Sequence, residues 1–156
     1  MDPEHLVPWI EHKMEANDVE VLAGTGSRIY EIAGPVTEYV LRLAKVVHRR
    51  ARQAGGKKEA SPHLVEAAFQ EVVADFRGSF ELIWAHLSPS KKQVLRAVAN
   101  GEQHLTARDV VQRYGLGSSS VASYAINELR DGAFLAPSKP YRISDPFLAG
   151  WIRGKV

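Results

Sequence analysis

Between Gly117 and Arg130 the sequence sets Ser119, Ser120, Ser123, Tyr124 and Asn127 in a stretch whose apolar residues recur at helical spacing. Hydroxyl and carboxamide groups of this kind hydrogen-bond to phosphate oxygens and base edges, and an asparagine suits adenine in particular. Arg108 and Arg113 precede the stretch, and Lys139 and Arg142 follow it, so cations that could clamp phosphates flank it on both sides. These nine residues are the expected nucleic-acid-binding set. No Arg or Lys occurs within the helix before Arg130, which argues against guanine readout and leaves docking to a protein as the competing use of the same surface.

Other groups that could do chemistry give weaker patterns. Gly24 to Arg28, "GTGSR", has glycines that would let backbone N–H groups approach an anion, but no strand precedes it and no Lys follows, so it reads as an interhelical turn. Lys45, Arg49, Arg50, Arg52, Lys57 and Lys58 crowd the end of a predicted helix, where the helix dipole favours solvated cations. The six histidines never take metalloprotease spacing, and the pairs Glu11 and Glu15 or Glu128 and Asp131 read as solvated carboxylates. No catalytic residue, metal site or cofactor site is expected. With no cysteine, thiolate ligands, disulfides and cysteine nucleophiles are excluded together.

Two sets of elements must position these residues. Residues 1–82 read as helices: Leu6, Trp9, Ile10 and Met14 share one spacing, as do Val36, Val40, Leu43 and Val47 after Pro35, which is expected in the first turn. Ser61 and Pro62 start another helix, with Val65, Ala68, Phe69 and Val72 on its buried face. Gly78 to Leu87 is too apolar for a free linker. Beyond it, residues 83–156 follow a different order. Ser88 and Pro89 open a helix, Thr106 and Asp109 resemble a capping box, Gly115 and Gly117 supply a turn, and Ser118 caps a helix expected to bury Val121, Ala122, Ala125, Ile126 and Leu129. "FLAP" and "YRIS" then form a short hairpin, and "DPFLAGWIR" ends as a capped helix. The expected fold class is mainly α: a helical bundle at 1–82, then a winged helix-turn-helix with a short β-hairpin wing at 83–156.

A chain of 156 residues with 45% hydrophobic and 24% charged residues can build one or two globular cores. Its net charge of +2 is unevenly spread, since residues 83–156 hold ten Lys or Arg against five Asp or Glu, leaving residues 1–82 acidic. The basic half is the one expected to meet a polyanion. No secretory leader pattern and no spanning apolar run is visible, so no membrane partner and a cytoplasmic setting are expected.

The whole chain resembles the C-terminal part of archaeal and bacterial P-loop ATPases of the AAA+ and STAND groups, in which a helical lid precedes a winged helix. The residues that carry the resemblance are "RIYEIAGPVTEYVLRLAKVV", "FELIWAHLSPSKKQVLRAVANGEQ" and, most specifically, Tyr141, Ile143, Asp145, Pro146, Phe147 and Trp151. It implies a non-catalytic region of an ATPase whose core, with its ATP and magnesium, is not in these residues. The sequence has no Gly-Lys-Ser/Thr loop, and Gly34 and Pro35 are adjacent where STAND lids have Gly-any-Pro. The implied role of the winged helix is binding duplex DNA. Its alternatives are docking on or autoinhibition of the ATPase core, contact with a partner protein, or service in a stand-alone transcriptional regulator.

Overall fold

The computed structural model describes residues 2–155, which divide into two compact units between Asp75 and Phe76. The first unit contains α1 (Pro3–Glu15), β1 (Glu20–Val21), α2 (Thr25–Ala33), α3 (Thr37–Gln53), β2 (Glu59–Ala60) and α4 (Pro62–Asp75). The second contains α5 (Arg77–His86), α6 (Pro89–Ala99), α7 (Arg108–Tyr114), α8 (Ser119–Asp131) and α9 (Pro146–Gly154). Mainly helical architecture is thus as the sequence predicts. The boundary between the acidic and basic halves falls inside α5.

In the first unit the apolar stripes meet as their spacing requires. Leu6, Ile10 and Met14, four residues apart on α1, are buried, as are Val40, Leu43 and Val47 on α3 and Val65, Ala68, Phe69 and Val72 on α4. Packing runs mainly through α3 with α4 and through α2 with α1 and α3. Ser61 accepts the Leu64 N–H at 3.2 Å and so starts α4 with Pro62 as its first residue.

Several expectations for this unit are corrected. Trp9 stands 46% exposed, because α1 turns only its Leu6, Ile10 and Met14 edge to the core. Pro35 lies before α3 rather than in its first turn: Val36 is the N-cap and is itself exposed. The unit is also not wholly helical, for β1 and β2 pair in parallel with Glu20 opposite Glu59 and Val21 opposite Ala60. Two-residue strands are too short to show the alternation by which a strand is read.

The segment "GTGSR" is not an interhelical turn without a preceding strand: β1 comes before it, Gly24 is the N-cap and Thr25 to Arg28 form the first turn of α2, which its own chain ties down. The Gly26 N–H donates to the Glu11 carboxylate at 3.1 Å, and a Cβ on Gly26 would come within 2.5 Å of that oxygen, so any larger residue would make the Glu11 side chain shift. Nearby, the Arg28 guanidinium pairs with Glu31 and Glu66 and its pKa is raised, chiefly by its hydrogen bond to Glu66. The basic end of α3 is partly neutralised in the same way: Glu71 of α4 takes both Arg49 and Arg50, and Lys57 pairs with Glu59.

Candidate nucleic-acid interface

The second unit is built outward from α6 and α8. Ser88 caps α6 by accepting the Lys91 N–H at 3.4 Å, with Pro89 following, and Val94, Leu95, Ala97 and Val98 are buried. The apolar run before it is the helix α5, whose Phe80 and Trp84 are buried; Trp84 packs edge-on against Trp151 of α9 at 5.8 Å. That contact explains why Gly78 to Leu87 is too apolar to be a linker. Asp145 caps α9 by accepting the Phe147 and Leu148 N–H groups at 2.8 and 3.2 Å, which sets Phe147 and Trp151 into the core.

α7 begins one residue later than a capping box on Thr106 would give. Ala107 is the N-cap, with no side-chain cap bond, because the Ala107 N–H donates to His104 O at 2.9 Å and holds Thr106 in the preceding turn. Gly115 and Gly117 then reverse the chain with φ of +63° and +80°, a region that costs most other residues energy. Leu116 between them is buried. Ser118 caps α8 by accepting the Val121 N–H at 3.2 Å.

Burial on α8 falls on Ala122, Ala125, Ile126 and Leu129, the three-and-four spacing of one helix face. Val121, expected among them, is instead 45% exposed. Successive residues are about 100° apart around a helix, which puts Val121 at the margin of the buried face, in the first turn. Ser119, Ser120, Ser123, Tyr124 and Asn127 are all exposed, so the five polar residues of the expected set do share one accessible surface.

The cations are less uniform. Arg108 and Arg113 lie five positions apart on α7, roughly 140° around it, and so point to different sides. Arg113 donates to Glu102 at 2.7 Å and lies 3.7 Å from Asp109. Arg108 is exposed. Lys139 and Arg142 are exposed on the wing, with the Lys139 ammonium 5.5 Å from the Tyr141 ring centre.

The wing is an antiparallel bridge between Leu135 and Ile143, flanked by hydrogen bonds from Ala136 N–H to Arg142 O at 2.8 Å and from Ser144 N–H to Phe134 O at 2.9 Å. The side chain of Gln103 extends it, donating to Tyr141 O at 2.9 Å and accepting from Tyr141 N–H at 2.6 Å. Arg130 covers the Tyr141 ring from 5.1 Å. No local pattern marks Gln103, whose partner lies 38 residues away.

Glu128 is likewise more than a solvated carboxylate. It accepts from the Tyr124 hydroxyl at 3.0 Å and pairs with Lys91 at 2.8 Å. The hydrogen bond from Lys91, then that from Tyr124, lowers the Glu128 pKa; the bond to Glu128 raises that of the Tyr124 phenol. Tyr124 is thereby oriented along the exposed face. Among the described residues no group of three or more His, Asp or Glu is placed to hold a metal ion, and no helix is long and apolar enough to cross a membrane.

Helix, helix, glycine turn, capped helix, wing and closing helix are now in place. Residues 78–154, from α5 to the last residue of α9, match the family model described as "probable winged helix domain". The second unit is a winged helix. No curated protein and no solved structure matches the chain significantly. Within the winged helix, α8 occupies the position of the reading helix, and the bridge 135 to 143 is the wing.

Proposed function

We propose that the winged helix binds duplex DNA, with α8 in the major groove, and that the chain is a non-catalytic part of a P-loop ATPase. The observation that carries the reading is the exposed polar surface of α8 beside a cationic wing. Ser119, Ser120, Ser123, Tyr124 and Asn127 supply hydrogen bonds to base edges and phosphates, while Arg108, Arg113, Lys139 and Arg142 position the backbone. Winged helices commonly read DNA in this way. The ATPase context rests on the sequence resemblance, which would make residues 1–82 the lid. An in-frame phosphate-binding loop upstream in the native gene supports it, and a stop codon there removes it.

Fluorescence anisotropy of a labelled random duplex, repeated at several salt concentrations, tests the DNA reading. Four phosphate contacts give log affinity a slope against log salt of about −3.6, from roughly −0.9 per neutralised phosphate. If Arg113 keeps Glu102 as its partner, three contacts remain and the slope is about −2.7. Binding that is absent even at low salt sinks the reading.

A second reading is favoured by one observation. Val121 and Tyr124 are 45% and 67% exposed on an α8 surface that carries no cation, which suits docking on a protein. Loss of duplex binding with retained capture of the ATPase core would select it.

A further inference from the structure

The winged helix carries a second cationic surface away from α8. α6, α7 and α9 line a groove of about 320 Å³ with the exposed or half-buried Arg96, Asn100, Tyr114, Arg153 and Lys155 and the buried Ala99 and Ile152. No residue of α8 and no carboxylate lines it. Lys92 adds to the same cluster: its ammonium lies 5.9 Å from the Trp84 ring, the Arg96 guanidinium 5.3 Å, and the Lys155 ammonium 5.9 Å. Lys155 is also 4.6 Å from Trp151.

Three other cations of this unit find carboxylates: Arg77 with Glu81, Lys91 with Glu128, Arg113 with Glu102. Among the described residues Lys92, Arg96, Arg153 and Lys155 form no ion pair; Arg96 donates only to the neutral Gln93 amide at 3.2 Å. Indole faces offset part of the repulsion between cations gathered in this way, and an anion seated among them would offset far more. The Tyr114 hydroxyl and the Asn100 amide add neutral donors of the kind that meet phosphate oxygens. The accessible lining is polar and positive and the buried lining, Ala99 and Ile152, is apolar, which fits a phosphodiester with its sugar.

We propose that this groove is a second phosphate-binding site, which holds the sugar-phosphate backbone of a nucleic acid independently of α8 and the wing. Because the chain has no cysteine, a single introduced thiol reports its own position. The full chain carrying Asn100→Cys, and separately Ser123→Cys, is offered a random duplex bearing a disulfide-activated tether on one backbone phosphate.

The expected result is a crosslink at position 100 that disappears when Arg153→Glu and Lys155→Glu are added, with the salt slope of duplex binding falling in magnitude by about 1.8, roughly 0.9 for each lost contact. Arg153 and Lys155 are exposed, and the milder pair Arg153→Gln and Lys155→Gln should act in the same direction with an unchanged circular dichroism spectrum. A crosslink at 123 without one at 100 overturns the groove and leaves the α8 reading standing. A crosslink at 100 without one at 123 keeps the groove and overturns α8. No crosslink at either position, or one at 100 that survives charge reversal, overturns the groove.

Discussion

The Gln103 side chain and the Tyr141 backbone exchange two hydrogen bonds, at 2.9 and 2.6 Å, so that an amide side chain does the work of a strand partner for the wing. The wing has little other ladder of its own, since its pairing is one bridge. Replacing Gln103 by Leu keeps the bulk and leaves the Tyr141 N–H and C=O without this partner. A loss of about 1–3 kcal/mol in urea denaturation is expected, the range for stranding a part-buried polar group. Hydrogen exchange gives the sharper check: the Tyr141 amide should exchange faster in Gln103→Leu while amides in the middle of α6 stay protected.

The Lys91, Glu128 and Tyr124 link predicts how stability responds to acid and base. The folded pKa of Glu128 is depressed, so its contribution is present above the unfolded value, roughly 4.3, and is lost as pH falls through the lower folded value. The phenol of Tyr124 is shifted upward, so its contribution is present below roughly pH 10 and is lost as pH rises through the folded value. In Glu128→Gln the urea midpoint should therefore drop below wild type at neutral pH, and the two should converge in acid below the carboxylate range. Ultraviolet titration should find the phenol ionising at lower pH in the variant. A gap that persists unchanged into acid would contradict the assignment.

Ser118 starts the helix that carries the proposed reading surface, through its bond from the Val121 N–H. Ser118→Ala should cost about 1 kcal/mol in thermal denaturation, and Ser118→Asp should retain most of the cap. Ser119 and Ser120 sit in the first turn of α8, so the Ala variant should also weaken duplex binding in anisotropy, which the Asp variant, bringing a negative charge, should not restore in full.

Signals that act within a few residues are legible in the sequence itself. Ser61 with Pro62, Ser88 with Pro89, and Asp145 with Pro146 announce helix starts because cap and first turn are neighbours along the chain. The apolar spacing of α8 marks its buried face apart from the marginal Val121. Thr106 misleads because the deciding contact, Ala107 N–H to His104 O, is a turn that competes with a cap of similar composition. What needs the fold are relationships between distant segments: Gln103 with Tyr141, Glu128 with Lys91, and the cations around Trp84. Each depends on which helices become neighbours, and no local pattern encodes that. Arg113 illustrates the cost for the site, since its composition suits a phosphate clamp whereas its nearest partner is Glu102.

Base contacts and backbone contacts should separate under mutation. Asn127 lies on the exposed face of α8, and its carboxamide is the group suited to adenine, so Asn127→Ala should change the ranking of duplex sequences more than the mean affinity. Arg142 and Lys139 lie on the wing, where contact with phosphates carries no sequence information, so Arg142→Ala should weaken all sequences about equally and reduce the salt slope by roughly 0.9. Selection from a random duplex library, followed by anisotropy on the winning and losing sequences, distinguishes the two effects. Unchanged affinity and ranking in both variants would remove α8 and the wing from the interface.

Thr25 gives a test of the first unit that is independent of any ligand. It is the only fully buried polar residue among those described, at 0% exposure, and its hydroxyl lies 2.7 Å from Leu22 O and 2.9 Å from Ala60 O. One proton serves both carbonyls, so the side chain fastens the start of α2 to β2 from inside the core. Thr25→Val keeps the branched shape and removes only the hydroxyl, which should cost about 1 kcal/mol for the lost bond, since both carbonyls keep a backbone N–H donor. Thr25→Ser keeps the hydroxyl and loses a buried methyl, which should cost of order 1 kcal/mol through packing alone. If the hydroxyl is what joins α2 to β2, amide exchange at Leu22, whose N–H bonds to Ala60 O at 2.9 Å, should quicken in the Val variant and much less in the Ser variant. Equal exchange in both would mean that apolar packing around Thr25, and not its hydroxyl, holds that junction closed.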